Sequence, residues 1–344
     1  MRILPQVFLG CLSLLGAARA QNIDAFMPQF VPQPAAETHA PYLPQALMPG
    51  GVVIPIWPEG SPMLNAERVH EAEDYQMDPV VPGRVRTLTN VHNPSIEVHP
   101  VPRRQNTGAA IIIIAGGGNK RLFVGGESCD IVSYLFNYGV TGIILRHRLR
   151  ADGYVAEVDS VNDTLQAIRL VRRHAEVWGI DPNRIGVMGF SAGGEQASGA
   201  ALGYPDFDRT HDKASDALAG ISSRPDFVSL VYTGPSALTL DPTTSIPEDV
   251  PPVFIASASY GDKRHTIWSI EYYRAMLNRG VPNIELHLYG NGGHGGGISD
   301  RGGIPFGSWE DRFVDWIRDL GFLQNPGLPT RAAHDVATHV SPQK

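Results

Sequence analysis

The feature that most restricts the fold of this chain is a short strand signal running directly into Gly189-Phe190-Ser191-Ala192-Gly193. Residues 184–188 form the apolar run that a buried parallel strand needs. Residues 194–202 are mostly small and compatible with a helix. A strand that enters a helix through Gly-x-Ser-x-Gly turns sharply at the serine and holds it in a strained backbone conformation. The residues two places to either side must then be small, a need that glycine meets. The hydroxyl would project above the sheet, beside the positive end of the following helix. The pattern arises by chance in a chain of this length with a probability of about 0.1–0.2, so its weight depends on what else the chain supplies.

Further apolar runs at 109–114, 140–145, 227–232, 252–257 and 284–289 read as strands. Residues 159–178 carry Val161, Leu165, Ile168 and Val171 at helical spacing. Residues 127–138, 267–279 and 309–320 read as further helices, the second of them stopped by Gly280. Residues 85–91 and 95–99 alternate in polarity and are expected to pair as a first antiparallel hairpin. Strands alternating with helices predict an α/β chain, with a mostly parallel central sheet covered by helices on both faces. A serine turn in mid-sheet and an antiparallel start fit the α/β-hydrolase fold.

The 344 residues suffice for one large domain. A net charge of -7 argues against nucleic acid or an anionic membrane surface as partner. Residues 1–20 have the three parts of a secretory signal: Arg2, an apolar stretch over 7–15, and Ala18-Arg19-Ala20 as the cleavage site. The expected product is secreted or periplasmic, and the apolar run is too short for a membrane span. A lipoprotein reading through Cys11 is the weaker alternative, because the apolar segment before it is very short. Cleavage would leave Cys129 alone, without an internal disulfide and expected to be buried. The remaining organisation is expected to be a proline-rich arm at 21–50, a catalytic domain at 51–325 and a loose tail at 326–344.

A serine hydroxyl is a weak nucleophile at neutral pH and needs a base, which in turn needs a carboxylate. In this fold the chain order is Ser, then acid, then His. Asp262 follows the strand signal at 252–257, and His294 follows the last strand within a glycine-packed loop. Ser191, Asp262 and His294 are therefore the candidate triad. His287 falls within a strand, His174 at a helix end, and His265 precedes the last strand, where it could shape the entrance. Backbone N–H groups of Ala192, Gly117 and Gly118 are the candidate oxyanion donors. The same glycine turn lacks the Gly-Lys-Ser/Thr ending of a phosphate loop. No cofactor is implied, and the histidines and aspartates lack the clustered spacing of a zinc site.

With these residues assembled, the chain resembles the α/β-hydrolase esterases of the acetylxylan and feruloyl esterase-like (BD-FAE-like) branch, over roughly residues 54–323. The markers are Ile56-Trp57-Pro58-Glu59-Gly60-Ser61-Pro62, the triglycine turn 116–118, residues 145–149, residues 179–185, the elbow with Gly194, and Gly292-Gly293-His294-Gly295. The resemblance implies the same triad and oxyanion residues, and a secreted serine carboxylesterase acting on a small-molecule or oligosaccharide ester, with xylan acetyl groups as the expected class. Ala115, Asn119, His147 and Glu195 depart from the family's usual residues beside the pocket. Two other readings share the elbow: a peptidase or dienelactone-type hydrolase, and a binding protein that has lost turnover. The large propeller domain usual in peptidases of this fold has no repeat array to match it here.

Overall fold

The computed structural model describes residues 40–298, 305–324 and 326–340. The expected signal at 1–20 and most of the expected proline-rich arm lie outside the described residues. Among the described residues ten strands form: β1 (Val52–Pro55), β2 (Asp74–Met77), β3 (Val85–Thr89), β4 (Ser95–His99), β5 (Ala110–Ile114), β6 (Thr141–Arg146), β7 (Ile185–Phe190), β8 (Phe227–Val231), β9 (Val253–Ala258) and β10 (Glu285–Tyr289). Eight build the main sheet in the order β1-β4-β6-β5-β7-β8-β9-β10. From β6 to β10 every pairing is parallel, while β4 pairs antiparallel with both β1 and β6.

The helices are α1 (Asp130–Phe136), α2 (Val161–Arg173), α3 (Ala192–His211), α4 (Ala237–Leu240), α5 (Lys263–Arg279), α6 (Trp309–Asp319) and α7 (Arg331–Val340). Alternation along β5 sends Ile111 and Ile113 to one core and Ile112 and Ile114 to the other. The first core receives Ile131 and Leu135 of α1 with Phe313 and Trp316 of α6. The second receives Leu165 and Ile168 of α2, Ala197 and Ala201 of α3, and Tyr272 and Met276 of α5. Both faces of the sheet are thus covered, which is why β5 is apolar throughout and its parallel neighbours are mostly so. Cys129 is a buried free thiol, as expected.

Three expectations are corrected. Residues 85–91 and 95–99 do not form a hairpin with each other. β3 pairs with β2 in a separate two-stranded sheet, and Leu88 bridges to Leu122 beyond the glycine turn. Alternation specifies a pleated strand but not its partner, and β4 is buried on both faces. Its polar face is satisfied by pairing: Glu97 accepts from Arg146 Nη2 at 2.7 Å and from the backbone N–H groups of Leu47 and Met48. Those last contacts correct the second expectation, since the end of the proline-rich stretch is packed onto the domain, with Tyr42 buried. The third concerns the tail: residues 331–340 are helical, because Ala332 and Val336 share one apolar face and are buried by it.

Candidate active site

β7 ends at Phe190 and α3 begins at Ala192, so the whole turn falls on Ser191. Its φ of 52° and ψ of -118° are rarely adopted by a residue with a side chain. A Cβ on Gly189 would stand 2.2 Å from the Gly193 carbonyl oxygen, and one on Gly193 would stand 2.1 Å from that of Ile114. The elbow closes only with glycine at both places. Backbone bonds hold it there: Ser191 N–H donates to Val231, and the Ser191 carbonyl accepts from Gly194 at 2.9 Å and Gly234 at 2.8 Å.

Asp262 immediately precedes α5 after β9, and His294 lies in the loop after β10. Parallel strands deliver all three loops to the same edge of the sheet. Ser191 Oγ is 2.8 Å from His294 Nε2, and His294 Nδ1 is 2.8 Å from Asp262 Oδ2. An ionised carboxylate only accepts hydrogen bonds, so Nδ1 carries the proton and Nε2 is left to accept from the serine. Burial pushes the Asp262 carboxyl up, but hydrogen bonds from His265 and His294 outweigh it and hold the group at about 2.

Asp262 serves two imidazoles. His265 Nδ1 is 2.5 Å from Asp262 Oδ1, and its ring stacks on His294 with centroids 3.8 Å apart and planes inclined by 20°. The fold therefore clusters Asp262, His265 and His294, with donor atoms within 4.8 Å of one another, where spacing along the chain suggested no cluster of metal ligands. Both carboxylate oxygens are already engaged by Nδ1 atoms, and His294 Nε2 faces Ser191, so these donors are committed to one another.

Gly117 and Gly118 border the same cleft as Ser191 and His294, and Ala192 N–H opens α3. The cleft has a volume of 790 Å³, and its far wall is Asp78, Val80, Arg84, Arg86 and Phe123. A second cleft of 560 Å³ lies beside α7 and includes none of the candidate residues.

Two residues beneath the glycine turn were not legible in the sequence. Glu127 Oε2 accepts from Gly116 N–H at 2.6 Å, and its Oε1 accepts from the Tyr232 hydroxyl at 2.9 Å. Tyr232 OH accepts from Gly297 N–H at 3.0 Å, and its ring meets His294 edge-on at 5.1 Å. One buried carboxylate thus ties the glycine turn to the histidine loop. Burial pushes this carboxyl up, against the two hydrogen bonds it receives. The only sequence signals were a tyrosine closing a parallel strand and a Gly-Gly-Glu step after the glycine turn.

Two departures from the family pattern prove to be partners. Asn119 Nδ2 donates to Glu195 Oε2 at 2.9 Å, and Gln196 Nε2 donates to Asn119 Oδ1 at 3.0 Å. His147 is buried and bonds through Nδ1 to the carbonyl of Arg148 at 2.8 Å, so it supports the loop from beneath. Ala115 is buried at the end of β5.

Comparison with solved structures decides the fold. A bifunctional acetyl ester-xyloside hydrolase from Caldicellulosiruptor lactoaceticus superposes with a TM-score of 0.63 at 26% identity, over 81% of this chain and 99% of that one. This chain has the α/β-hydrolase fold. Residues 97–227 of this α/β-hydrolase match the BD-FAE family model, a span that runs from within β4 past β7 and includes the glycine turn and the elbow. Thermogutta terrifontis esterase 2, solved in a form phosphonylated by cyclosarin, shares the fold with a TM-score of 0.59 at 19% identity, over 80% of this chain and 96% of that one. An acetylxylan esterase of Xylanibacter ruminicola is 28% identical over 245 residues, which are 67% of this chain and 48% of that protein. The α/β-hydrolase chain therefore spans about half the length of that curated relative.

Proposed function

We propose that this protein is an exported serine carboxylesterase that removes acyl groups, acetyl foremost, from plant-wall polysaccharide such as xylan. The observation that carries the reading is the hydrogen-bonded line from Ser191 Oγ through His294 to Asp262, 2.8 Å at each step. Ser191 Oγ attacks the ester carbonyl carbon while His294 Nε2 takes the hydroxyl proton, and Asp262 steadies the imidazolium that forms. The carbonyl oxygen becomes an oxyanion, and N–H groups of Ala192, Gly117 and Gly118 are the donors assigned to it. The tetrahedral carbon collapses, His294 gives its proton to the departing alcohol, and an acyl-serine remains. Water, deprotonated by His294, then releases the carboxylic acid and restores Ser191.

The substrate class is supported by the acetylxylan esterase and the acetyl ester-xyloside hydrolase that the chain is similar to. Export rests on the three-part signal at residues 1–20. Among the described residues no helix is long and apolar enough to cross a membrane. The test is release of acetate from acetylated xylan, and of p-nitrophenol from its acetate, by the pure protein. Labelling by a fluorophosphonate should occur in the native protein and vanish in Ser191→Ala. Labelling that persists in that variant, or no turnover of either ester, would overturn the reading.

A further inference from the structure

The far wall of the cleft carries two arginines with different fates. Arg84 is neutralised, its guanidinium meeting Asp78 at 2.5 Å and Asp130 at 2.8 Å. Arg86, two residues further on and within β3, is exposed, and among the described residues no carboxylate pairs with it. Its one recorded contact is with the ring of Phe123, 6.0 Å from centroid to guanidinium carbon. Phe123 itself lines the cleft and is only half-buried. The other carboxylates that face this space are engaged. Asp78 is taken by Arg84, and Glu127 by Gly116 and Tyr232. The loop that presents Gly117 and Gly118 continues into Lys120 and Arg121, both exposed and without a carboxylate partner among the described residues. A chain with a net charge of -7 thus lines the cleft of its candidate nucleophile with a cation, Arg86, that no carboxylate among the described residues neutralises.

We infer that Arg86 is a recognition residue for a carboxylate carried by the ester substrate, an acidic acylated oligosaccharide rather than a neutral one. The inference rests on the esterase reading above and narrows its substrate class. A guanidinium offers a rigid planar fork of donors matched to a carboxylate. Its position beside Phe123 limits the orientations it can take and leaves an aromatic edge for a sugar ring to meet. Lys120 and Arg121 add a longer-range attraction that salt will screen.

The test uses the pure full chain and one acetylated xylo-oligosaccharide bearing a glucuronic acid branch. It is compared with the same molecule after its carboxyl has been coupled to methylamine, which removes the charge and leaves the acetyl groups. The readout is the ratio of kcat/KM for acetate release, acidic over neutral, taken within each protein. The expected ratio is about five- to tenfold in the native chain at low salt, approaching one in Arg86→Gln and intermediate in Arg86→Lys. Acetate released equally from both molecules by the native chain would overturn this inference while leaving the esterase reading intact. A preference that survives in Arg86→Gln would overturn the assignment to Arg86. Release from neither molecule would overturn the polysaccharide reading on which the inference rests, and the inference with it.

Discussion

Asn119 and Glu195 hold each other across the entrance to the elbow, amide nitrogen to carboxylate oxygen at 2.9 Å. Asn119 directly follows Gly117 and Gly118 and sits in left-handed backbone, with φ 58°. Glu195 lies in the first turn of α3. The pair therefore fastens the loop of the candidate oxyanion donors to the helix that begins at the candidate nucleophile.

Burial pushes the Glu195 carboxyl up to about 7, the Asn119 amide offsetting only part of that effect. The folded state consequently holds a proton that the unfolded chain releases near the ordinary glutamate value of about 4.3. The associated stability is complete below that value and is lost as pH rises through about 7. Glu195→Gln keeps an acceptor for Asn119 and cannot ionise. Thermal midpoints from pH 4 to 8 should fall more steeply on the alkaline side for the native chain than for this variant. Parallel curves would show that Glu195 does not titrate in that window.

The aspartate that orients the histidine invites a substitution that preserves shape. Asp262→Asn can no longer stabilise the imidazolium and favours the wrong tautomer of His294. An ester kcat lower by about 10⁴ is expected, with KM much less affected. Steady-state kinetics on p-nitrophenyl acetate would check this, and a loss below tenfold would remove Asp262 from the role.

His265 shares that aspartate, and its ring lies against His294, the candidate base. It is expected to act as a positioning residue. His265→Phe retains a stacking ring but removes the donor to Asp262 Oδ1, so kcat should fall about tenfold, the order found when a group that orients a reacting residue is lost. His265→Asn, which can still donate, should recover part of that loss. Equal kcat in all three proteins would assign His265 to packing alone.

A structural prediction concerns the ion pair behind the site. Arg148 Nη2 and Asp163 Oδ1 are 2.7 Å apart with almost no exposure, and Trp57 Nε1 donates to the same oxygen at 2.7 Å. Asp163→Ala leaves the buried guanidinium with only the partly exposed Asp159, 3.2 Å away, as counter-charge and should destabilise the fold by about 3 kcal/mol. Replacing both partners by apolar residues of similar volume, Arg148→Met with Asp163→Leu, should destabilise less than the single change. Denaturant midpoints decide between the two outcomes.

What could be read directly from the chain was local or repetitive. The elbow is legible because strand, strained serine and helix occupy consecutive residues, and glycines at 189 and 193 are demanded by atoms close to them. The central strand β5 is legible because burial on both faces leaves no polar position in its pattern, and its parallel neighbours because it leaves few. The order of Ser191, Asp262 and His294 is legible because parallel strands bring successive loops to one edge.

The tertiary structure decided everything that depends on distant partners. Alternation marked β3 as a strand, yet only packing chose β2 over β4 as its neighbour. Glu127 looks like any helical glutamate until Tyr232, 105 residues away, closes on it. Asn119 and Glu195 are separated by 76 residues, and neither carries a local sign of the other. Residue type and spacing report what a side chain can do and which face it occupies. They do not report which groups share its burial, and burial with a particular partner is what sets the strength of each of these bonds.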